Sequence, residues 1–178
     1  MDSIVRDKIM KYLNNSNLIS VHQHGFMNKK KCCTNLLETL DIVSKAFDNN
    51  IPVEIIFLDF AKAFDIVPHE RLCIKLASYG IIGDLLNWCK AFLKNRLPRV
   101  VLGENISEWT NVISGILQGS VLFFISVFIL YINDMMLNIK NECKLYADDT
   151  KLISILDHNS STENLQEDLN KIVQWTKN

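Results

Sequence analysis

The stretch that decides the fold is Glu142-Cys-Lys-Leu-Tyr-Ala-Asp-Asp-Thr-Lys-Leu-Ile-Ser-Ile-Leu156. Two short apolar runs, residues 142–146 and 150–156, flank Asp148 and Asp149, and this pattern predicts two antiparallel strands joined by a tight turn. Aspartate in such a turn often does no more than satisfy turn backbone groups. The hairpin taken alone therefore indicates a fold element and leaves its chemistry open.

A second acidic residue follows another predicted strand. The sequence Val53-Glu-Ile-Ile-Phe-Leu58 is short, apolar and preceded by Pro52, which favours a buried strand, and Asp59 comes directly after it. If this strand pairs with the 142–156 hairpin in one sheet, three carboxylates meet at one edge. Such a cluster repels itself unless divalent cations neutralise it, and Mg²⁺ accepts one or two carboxylates together with substrate phosphates. Two such ions about 3.5–4 Å apart stabilise the attacking and leaving oxygens of an in-line phosphoryl transfer. The pattern therefore predicts a metal-dependent phosphoryl-transfer site.

The remaining periodicity predicts helices and one more hairpin. Apolar residues recur at helical spacing over residues 3–13, 35–47, 69–78, 82–94, 121–136 and 162–175, and strands are predicted at 99–102 and 108–112, joined through residues 103–105. Helices mixed with antiparallel hairpins favour an α+β fold over a doubly wound parallel sheet. The apolar run 121–132 is shorter than the roughly 20 residues a spanning helix needs, so we expect a buried core helix and no membrane contact.

Composition excludes several classes of protein. The chain has 178 residues, of which 48% are hydrophobic and 22% charged, as expected of one globular domain and not of a disordered or fibrous chain. Its 19 basic and 20 acidic side chains give a net charge of −1, so no global field attracts a polyanion. The five cysteines are odd in number and show no C-x-x-C spacing, which predicts free thiols. The charged N-terminus has no apolar segment typical of a signal peptide, and we expect an intracellular protein.

Several motifs occur in a characteristic order along the chain. They are Phe57-Leu-Asp-Phe-Ala-Lys-Ala-Phe-Asp65, Val67-Pro-His-Glu-Arg-Leu72, Ser114-Gly-Ile-Leu-Gln-Gly-Ser120, Tyr131-Ile-Asn-Asp134 and Tyr146-Ala-Asp-Asp-Thr150, with Gln23-His-Gly-Phe26 and Asn35-Leu-Leu37 upstream. Together they resemble the reverse transcriptase of non-LTR (LINE-like) retrotransposons. The four residues Tyr-Ala-Asp-Asp alone are a weak match. The resemblance is specific because all these motifs occur together and in order.

The resemblance implies a fold, an activity and partners. It implies a palm-like antiparallel sheet packed on helices, with residues 1–50 as part of the fingers and 51–178 as the palm, in one structural unit without a thumb. The implied activity is RNA-directed DNA polymerisation with an RNA template, a DNA primer and a dNTP, in the cytoplasm or nucleus. Two Mg²⁺ ions are the implied cofactors, with Mn²⁺ as a possible substitute. The oligomeric state stays open.

The resemblance also assigns roles to the acidic residues. Asp59 and Asp148 match the two metal-binding aspartates of the family, and Asp149 matches the supporting carboxylate of the turn. Phe60 matches the residue that offers its backbone carbonyl to a metal.

Nucleotide and nucleic-acid contacts follow from other motif positions. Phe64 matches the aromatic steric gate that excludes a ribose 2′-hydroxyl, although ordinary core packing is the alternative. Gln118 and Gly119 match the motif that lines the incoming nucleotide. The basic run Lys29, Lys30 and Lys31 lies at the fingers position near nucleic acid, although a solvated loop is equally consistent with the sequence.

The chain departs from the family pattern at several places. Leu117 replaces a usual proline, Phe123-Phe124 stands where Gly-Pro is usual, and one extra residue lies between Ser120 and Tyr131. One inserted residue rotates the rest of a helix by about 100°. We therefore expect a truncated, partly decayed copy, and the alternative to a polymerase is an inactive remnant that binds RNA or protein.

Overall fold

The computed structural model describes residues 2–94, 97–112, 114–116, 123–157 and 162–177. Helices and strands alternate irregularly along these ranges. In chain order they are α1 (Asp2–Asn15), α2 (Cys32–Asp48), β1 (Val53–Leu58), α3 (His69–Ser78), α4 (Gly83–Leu93), β2 (Val101–Leu102), β3 (Asn105–Ile106), α5 (Phe123–Ile132), β4 (Glu142–Tyr146), β5 (Asp149–Ile155) and α6 (Thr162–Lys177).

The central sheet has three antiparallel strands in the order β1-β5-β4. The register places Val53 opposite Ile155 at one end of β1 and Leu58 opposite Thr150 at the other. On the other side of β5, Tyr146 lies opposite Asp149. An antiparallel sheet with helices against it confirms the predicted α+β class.

The chain forms two compact units. One comprises residues 13–61 and 132–178, and the other residues 1–12 and 62–131. The first contains the three-stranded sheet, with α2 against β4 and α6 against β5. The predicted functional division into fingers and palm at residue 50 is a different partition and stays a prediction.

Buried side chains in the sheet unit follow the central strand. Leu152, Ile153 and Ser154 of β5 are all at most 1% exposed, as expected of a strand covered on both faces. On the face toward α2, the cross-strand pair Lys144 and Lys151 reaches α2, where the two ammonium groups donate to Glu38 and Thr39.

Helix α2 differs from its prediction in the side it buries. The helix itself is confirmed, but its apolar stripe is largely exposed, with Leu36, Leu40 and Phe47 at 52%, 59% and 80%. Asn35 and Ala46 are the buried residues of α2. The sheet face beneath the helix offers lysines, and these pair with the polar side of α2.

The second unit packs α3 against α4. Its core is apolar and includes Leu72 and Leu76 of α3, Leu93 of α4 and Phe128 of α5. The predicted α3 is confirmed at both ends. Helix α5 ends at Ile132 and is shorter than the predicted 121–136, because residues 133–138 form turns.

The small hairpin of this unit corrects a prediction. Strand β3 is Asn105–Ile106 and does not lie at 108–112 as the sequence suggested. Gly103 adopts φ +60°, which lets Gly103-Glu104 form a two-residue turn, so the chain pairs back immediately. The predicted three-residue connection was too long.

Among the described residues, no helix combines the length and the apolar character needed to cross a membrane.

Candidate active site

The sheet register brings the predicted acidic residues to one edge. Leu58 pairs with Thr150, so Asp59 leaves β1 beside the β4–β5 turn. Tyr146 pairs with Asp149, which makes Ala147 and Asp148 the two residues of that turn. Residues distant in sequence therefore meet because β1 and β4 both pair with β5.

The turn itself is held in an uncommon backbone conformation. Ala147 has φ +57°, in the left-handed region that residues with a Cβ rarely adopt. The hydroxyl of Thr150 donates to the carbonyl of Asp148 at 3.3 Å. The turn thus projects Asp148, which is half-buried, next to the exposed Asp149.

The electrostatics show that the three acids share one region. Burial raises the pKa of Asp148, and the negative charges of Asp149 and Asp59 raise it further, against an opposing backbone hydrogen bond. Such a field disfavours a third carboxylate charge and favours a cation.

Asp59 and Asp148 supply part of the coordination that a metal ion needs. Within the described ranges, no group of three or more His, Cys, Asp and Glu side chains is arranged to hold a metal ion by itself. Mg²⁺ commonly takes only one or two protein carboxylates and completes its coordination with water and substrate phosphates. Asp59 and Asp148 suit that mode, and Phe60, half-buried, follows Asp59 directly.

A loop from the N-terminal part of the same unit supports the turn. We call residues 22–26 the support loop. The amide of His24 donates to the Leu145 carbonyl at 2.8 Å, and the amide of Leu145 donates to the His22 carbonyl at 2.9 Å. From α2, the Asn35 side-chain amide donates to the same Leu145 carbonyl at 3.2 Å. The loop therefore forms a short parallel bridge along β4.

Gln23 extends this support to the turn. It is 2% exposed, and its Oε1 accepts from the amide of Ala147 at 3.0 Å and from the amide of Gly25 at 2.7 Å. Its Nε2 donates to the Ala147 carbonyl at 3.3 Å. Both backbone groups of Ala147 thus bind one side chain.

Gly25 allows the loop to approach this closely. A Cβ at Gly25 would lie 2.3 Å from the Ala147 nitrogen, a distance that no real contact tolerates. Beside it, the rings of Phe26 and Tyr146 stand 6.5 Å apart. Only glycine fits between the loop and the turn.

The three lysines of the predicted nucleic-acid contact differ in their surroundings. Lys30 is half-buried and its ammonium donates to the Val21 carbonyl. Burial lowers the pKa of Lys30, with Glu38 opposing and Lys144 reinforcing the shift. Lys29 and Lys31 are exposed. The structure therefore leaves Lys29 and Lys31 open to solvent and turns Lys30 back onto the protein.

Phe64 lies in the other compact unit. Its ring is half-buried and packs on Phe128 with centroids 4.2 Å apart. Its carbonyl accepts from the amide of Ile116 at 2.7 Å. Core packing and a gate role both remain consistent with this half-buried ring.

The segment that leads to the Gln-Gly motif is fixed to the Phe64 loop. Gly115 donates its amide to Val67 at 2.9 Å, and its carbonyl accepts from Nε2 of His69 at 2.8 Å. A Cβ at Gly115 would lie 2.7 Å from the Asp65 carbonyl oxygen. Two motifs distant in sequence are thus joined within this unit. Gln118 and Gly119, like Leu117, lie outside the described residues.

Comparison with known families decides the assignment. A family model described as "Reverse transcriptase (RNA-dependent DNA polymerase)" matches residues 1–178. The chain belongs to the reverse transcriptase family. A search of curated proteins finds no match to this chain. The resemblance to a reverse transcriptase is therefore confirmed for the family as a whole.

Sequence reasoning missed the residues that support the site. Gln23 and Asn35 belong to motifs whose pattern assigns them no structural role. A single polar residue produces no periodic pattern in the sequence. The local feature that marks Gln23 is its position two residues before Gly25, in a stretch, residues 16–28, without Asp, Glu, Lys or Arg.

Proposed function

We propose that this reverse transcriptase domain is of the non-LTR retrotransposon type and extends a DNA primer on an RNA template. The observation that carries the proposal is the pairing of Leu58 with Thr150, which brings Asp59 to the turn with Asp148 and Asp149. The primer 3′-hydroxyl attacks the α-phosphate of a dNTP, and pyrophosphate leaves.

The acids have distinct roles in this proposal. Asp59 and Asp148 would hold two Mg²⁺ or Mn²⁺ ions, with help from the Phe60 carbonyl, while Asp149 supports the turn and adds negative charge. When bound, the ions supply charge stabilisation to the attacking and leaving oxygens. The protein contributes the backbone positions of Asp59 and Asp148, which follow from the pairing of β1 and β4 with β5.

Nucleotide selection falls to Phe64, Gln118 and Gly119. A bulky ring beneath the sugar would exclude a ribose 2′-hydroxyl, and glutamine offers both a donor and an acceptor to a nucleotide. The anchoring of Gly115 to the Phe64 loop supports a common site for these motifs. Lys29 and Lys31, both exposed, are the members of the basic run suited to contact backbone phosphates.

The non-LTR type, the division into fingers (1–50) and palm (51–178) and an intracellular location are parts of the same proposal. Their support is the ordered set of motifs from Gln23-His-Gly-Phe26 to Tyr146-Ala-Asp-Asp-Thr150. An RNA template and dNTPs are found inside cells, which fits the cytoplasm or nucleus.

Primer extension tests this function. The chain is given an RNA template, a labelled DNA primer, dNTPs and Mg²⁺ or Mn²⁺. Asp59→Asn and Asp148→Asn should each reduce extension about a thousandfold, equivalent to ~4 kcal/mol of transition-state stabilisation. Glu142→Gln is the matched control, because Glu142 is an exposed carboxylate at the opposite end of β4.

The control outcomes separate the alternatives. Extension that survives Asp148→Asn comes from a contaminant. A folded wild-type chain that extends no primer with either metal contradicts the polymerase proposal and leaves the inactive remnant.

A further inference from the structure

The turn that carries Asp148 has a conformation that its own sequence does not favour. Ala147 at φ +57° bears a Cβ in the left-handed region, where the Cβ lies too close to the following carbonyl oxygen. Such a residue keeps this conformation only when its surroundings impose it. The neighbours of Ala147 are therefore part of what sets the direction of Asp148.

Gln23 binds both backbone groups of this residue. The amide of Ala147 donates to Oε1 and its carbonyl accepts from Nε2, so the side chain spans the Ala147 peptide groups. The amide of Gly25 also donates to Oε1, which fixes the orientation of the carboxamide because two N–H groups require an acceptor. Glutamate lacks the donor, and leucine lacks both groups.

We propose that Gln23 is a positioning residue of the active site. It holds Ala147 in the left-handed conformation and so keeps Asp148 beside Asp59. Gly25 is the second part of the device, because any side chain there would push the turn away. The inference rests on the proposed polymerase function for its catalytic consequence, but its geometric part can be tested without activity.

Amide hydrogen exchange in the folded chain tests the geometric part. In Gln23→Leu, which has a similar volume, the Ala147 amide loses its acceptor and should exchange at least about tenfold faster than in the wild type. Asn133→Ala is the matched control. Asn133 also binds backbone from both ends of its carboxamide, accepting from Ser20 at 2.7 Å and donating to Leu18 at 2.8 Å, in the same unit.

A second variant covers a failure of Gln23→Leu to fold. Gln23→Glu is isosteric and keeps the acceptor, but it places an oxygen against the Ala147 carbonyl. In Gln23→Glu too, the Ala147 amide should exchange faster than it does in Asn133→Ala. If neither Gln23 variant exceeds the control, the positioning role is wrong.

Rescue by a glycine tests the catalytic consequence. Glycine adopts φ near +57° without strain, so Ala147→Gly should recover at least half of the kcat lost in Gln23→Leu, with little change in the KM for dNTP. A loss of kcat that Ala147→Gly leaves unchanged would show a merely structural role. If the wild type has no activity, the polymerase proposal fails, and the exchange data still decide the positioning of the turn.

Discussion

Leu58 lies opposite Thr150 in the antiparallel ladder, and this single pairing places Asp59 beside the Ala147–Asp148 turn. A shift of the register by one residue would send the side chains of β1 to the opposite faces of the sheet. The site is therefore a property of the β1–β5 register as much as of the acidic residues themselves.

Mutual repulsion at this edge predicts that Asp148→Asn stabilises the folded chain at neutral pH. Burial and the charges of Asp149 and Asp59 raise the pKa of Asp148 above that of the unfolded chain. The wild type thus loses stability as pH rises through that raised pKa, and the cost is fully present at pH 7. Because Asp148 is partly exposed, solvent screens the repulsion, and we expect a rise in Tm of only about 1–2 °C.

Thermal unfolding between pH 3 and pH 8 in the presence of a chelator checks this sign. The gain from Asp148→Asn should disappear below pH of about 3.9, where the carboxylate is protonated in the unfolded chain as well. Glu142→Gln should show no such pH-dependent gain. A variant less stable than the wild type at pH 7 would contradict the shared negative field.

The buried carboxylate of Asp168 predicts the opposite behaviour. Burial alone would raise its pKa, but hydrogen bonds from Asn141, Lys171 and Lys140 outweigh burial and hold the pKa below its usual value. Its Oδ2 accepts from the amides of Lys140 and Asn141, each at 2.9 Å, and so fixes the approach to β4. Asp168→Asn should cost about 3 kcal/mol of unfolding free energy at pH 7.

Urea denaturation measures this cost. A lowered folded pKa stabilises the wild type above the ordinary aspartate pKa, and this stability is lost as pH falls through the lowered value. The difference between Asp168→Asn and the wild type should therefore shrink in acid. Glu167→Gln, at the neighbouring exposed carboxylate that binds Lys140 at 2.7 Å, should leave stability nearly unchanged. Equal effects of the two substitutions would argue against a buried anchor.

The position of Phe64 leads to a prediction about sugar selection. In Phe64→Val, discrimination against ribonucleotides should fall by about tenfold, which corresponds to ~1.4 kcal/mol. Loss of the ring contact with Phe128 should cost about 1 kcal/mol of stability as well. Single-nucleotide incorporation of dNTP against NTP measures the first effect. Phe128→Leu is the control that removes the same ring contact without removing Phe64, and an equal loss of discrimination there would favour core packing.

The cysteines should divide into two reactivity classes. Cys32 and Cys33 are exposed, whereas burial raises the pKa of Cys89 to about 11 and that of Cys143 to about 12. The thiolate is the reactive form, so only the exposed pair should react quickly with a thiol reagent in the folded chain. Titration before and after denaturation checks this, and fast labelling of Cys143 would show that β4 opens readily.

The elements that sequence predicted well carry regular apolar patterns. Strands β1 and β4 and helix α3 begin and end as predicted. Strand β1 is not the buried strand that its apolar run predicted, because its residues are at most half-buried and Phe57 is 73% exposed. The displaced β3 shows the limit of such patterns, since the local φ of Gly103 decided the turn. Helix α2 shows another limit, because periodicity found its apolar stripe but could not tell that the sheet offers lysines beneath it.

The acidic residues of the site could be predicted from the sequence, whereas the side chain that holds the turn could not. Asp59 and Asp148 stand out as acids at the ends of apolar strands. Nothing in the sequence around Gln23 predicts that its carboxamide reaches Ala147, 124 positions along the chain. Long-range hydrogen bonds of single polar residues depend on the tertiary fold, and local patterns do not encode them.

Binding of Mn²⁺, followed by the electron paramagnetic resonance of the free ion in the presence of a dNTP, tests most directly whether residues 59 and 148 form one cation site. Asp59→Asn and Asp148→Asn should each weaken the same binding event by about tenfold or more, while Glu142→Gln leaves it unchanged. If Asp148→Asn weakens binding and Asp59→Asn does not, the two carboxylates do not share an ion, and the account of this active site is wrong.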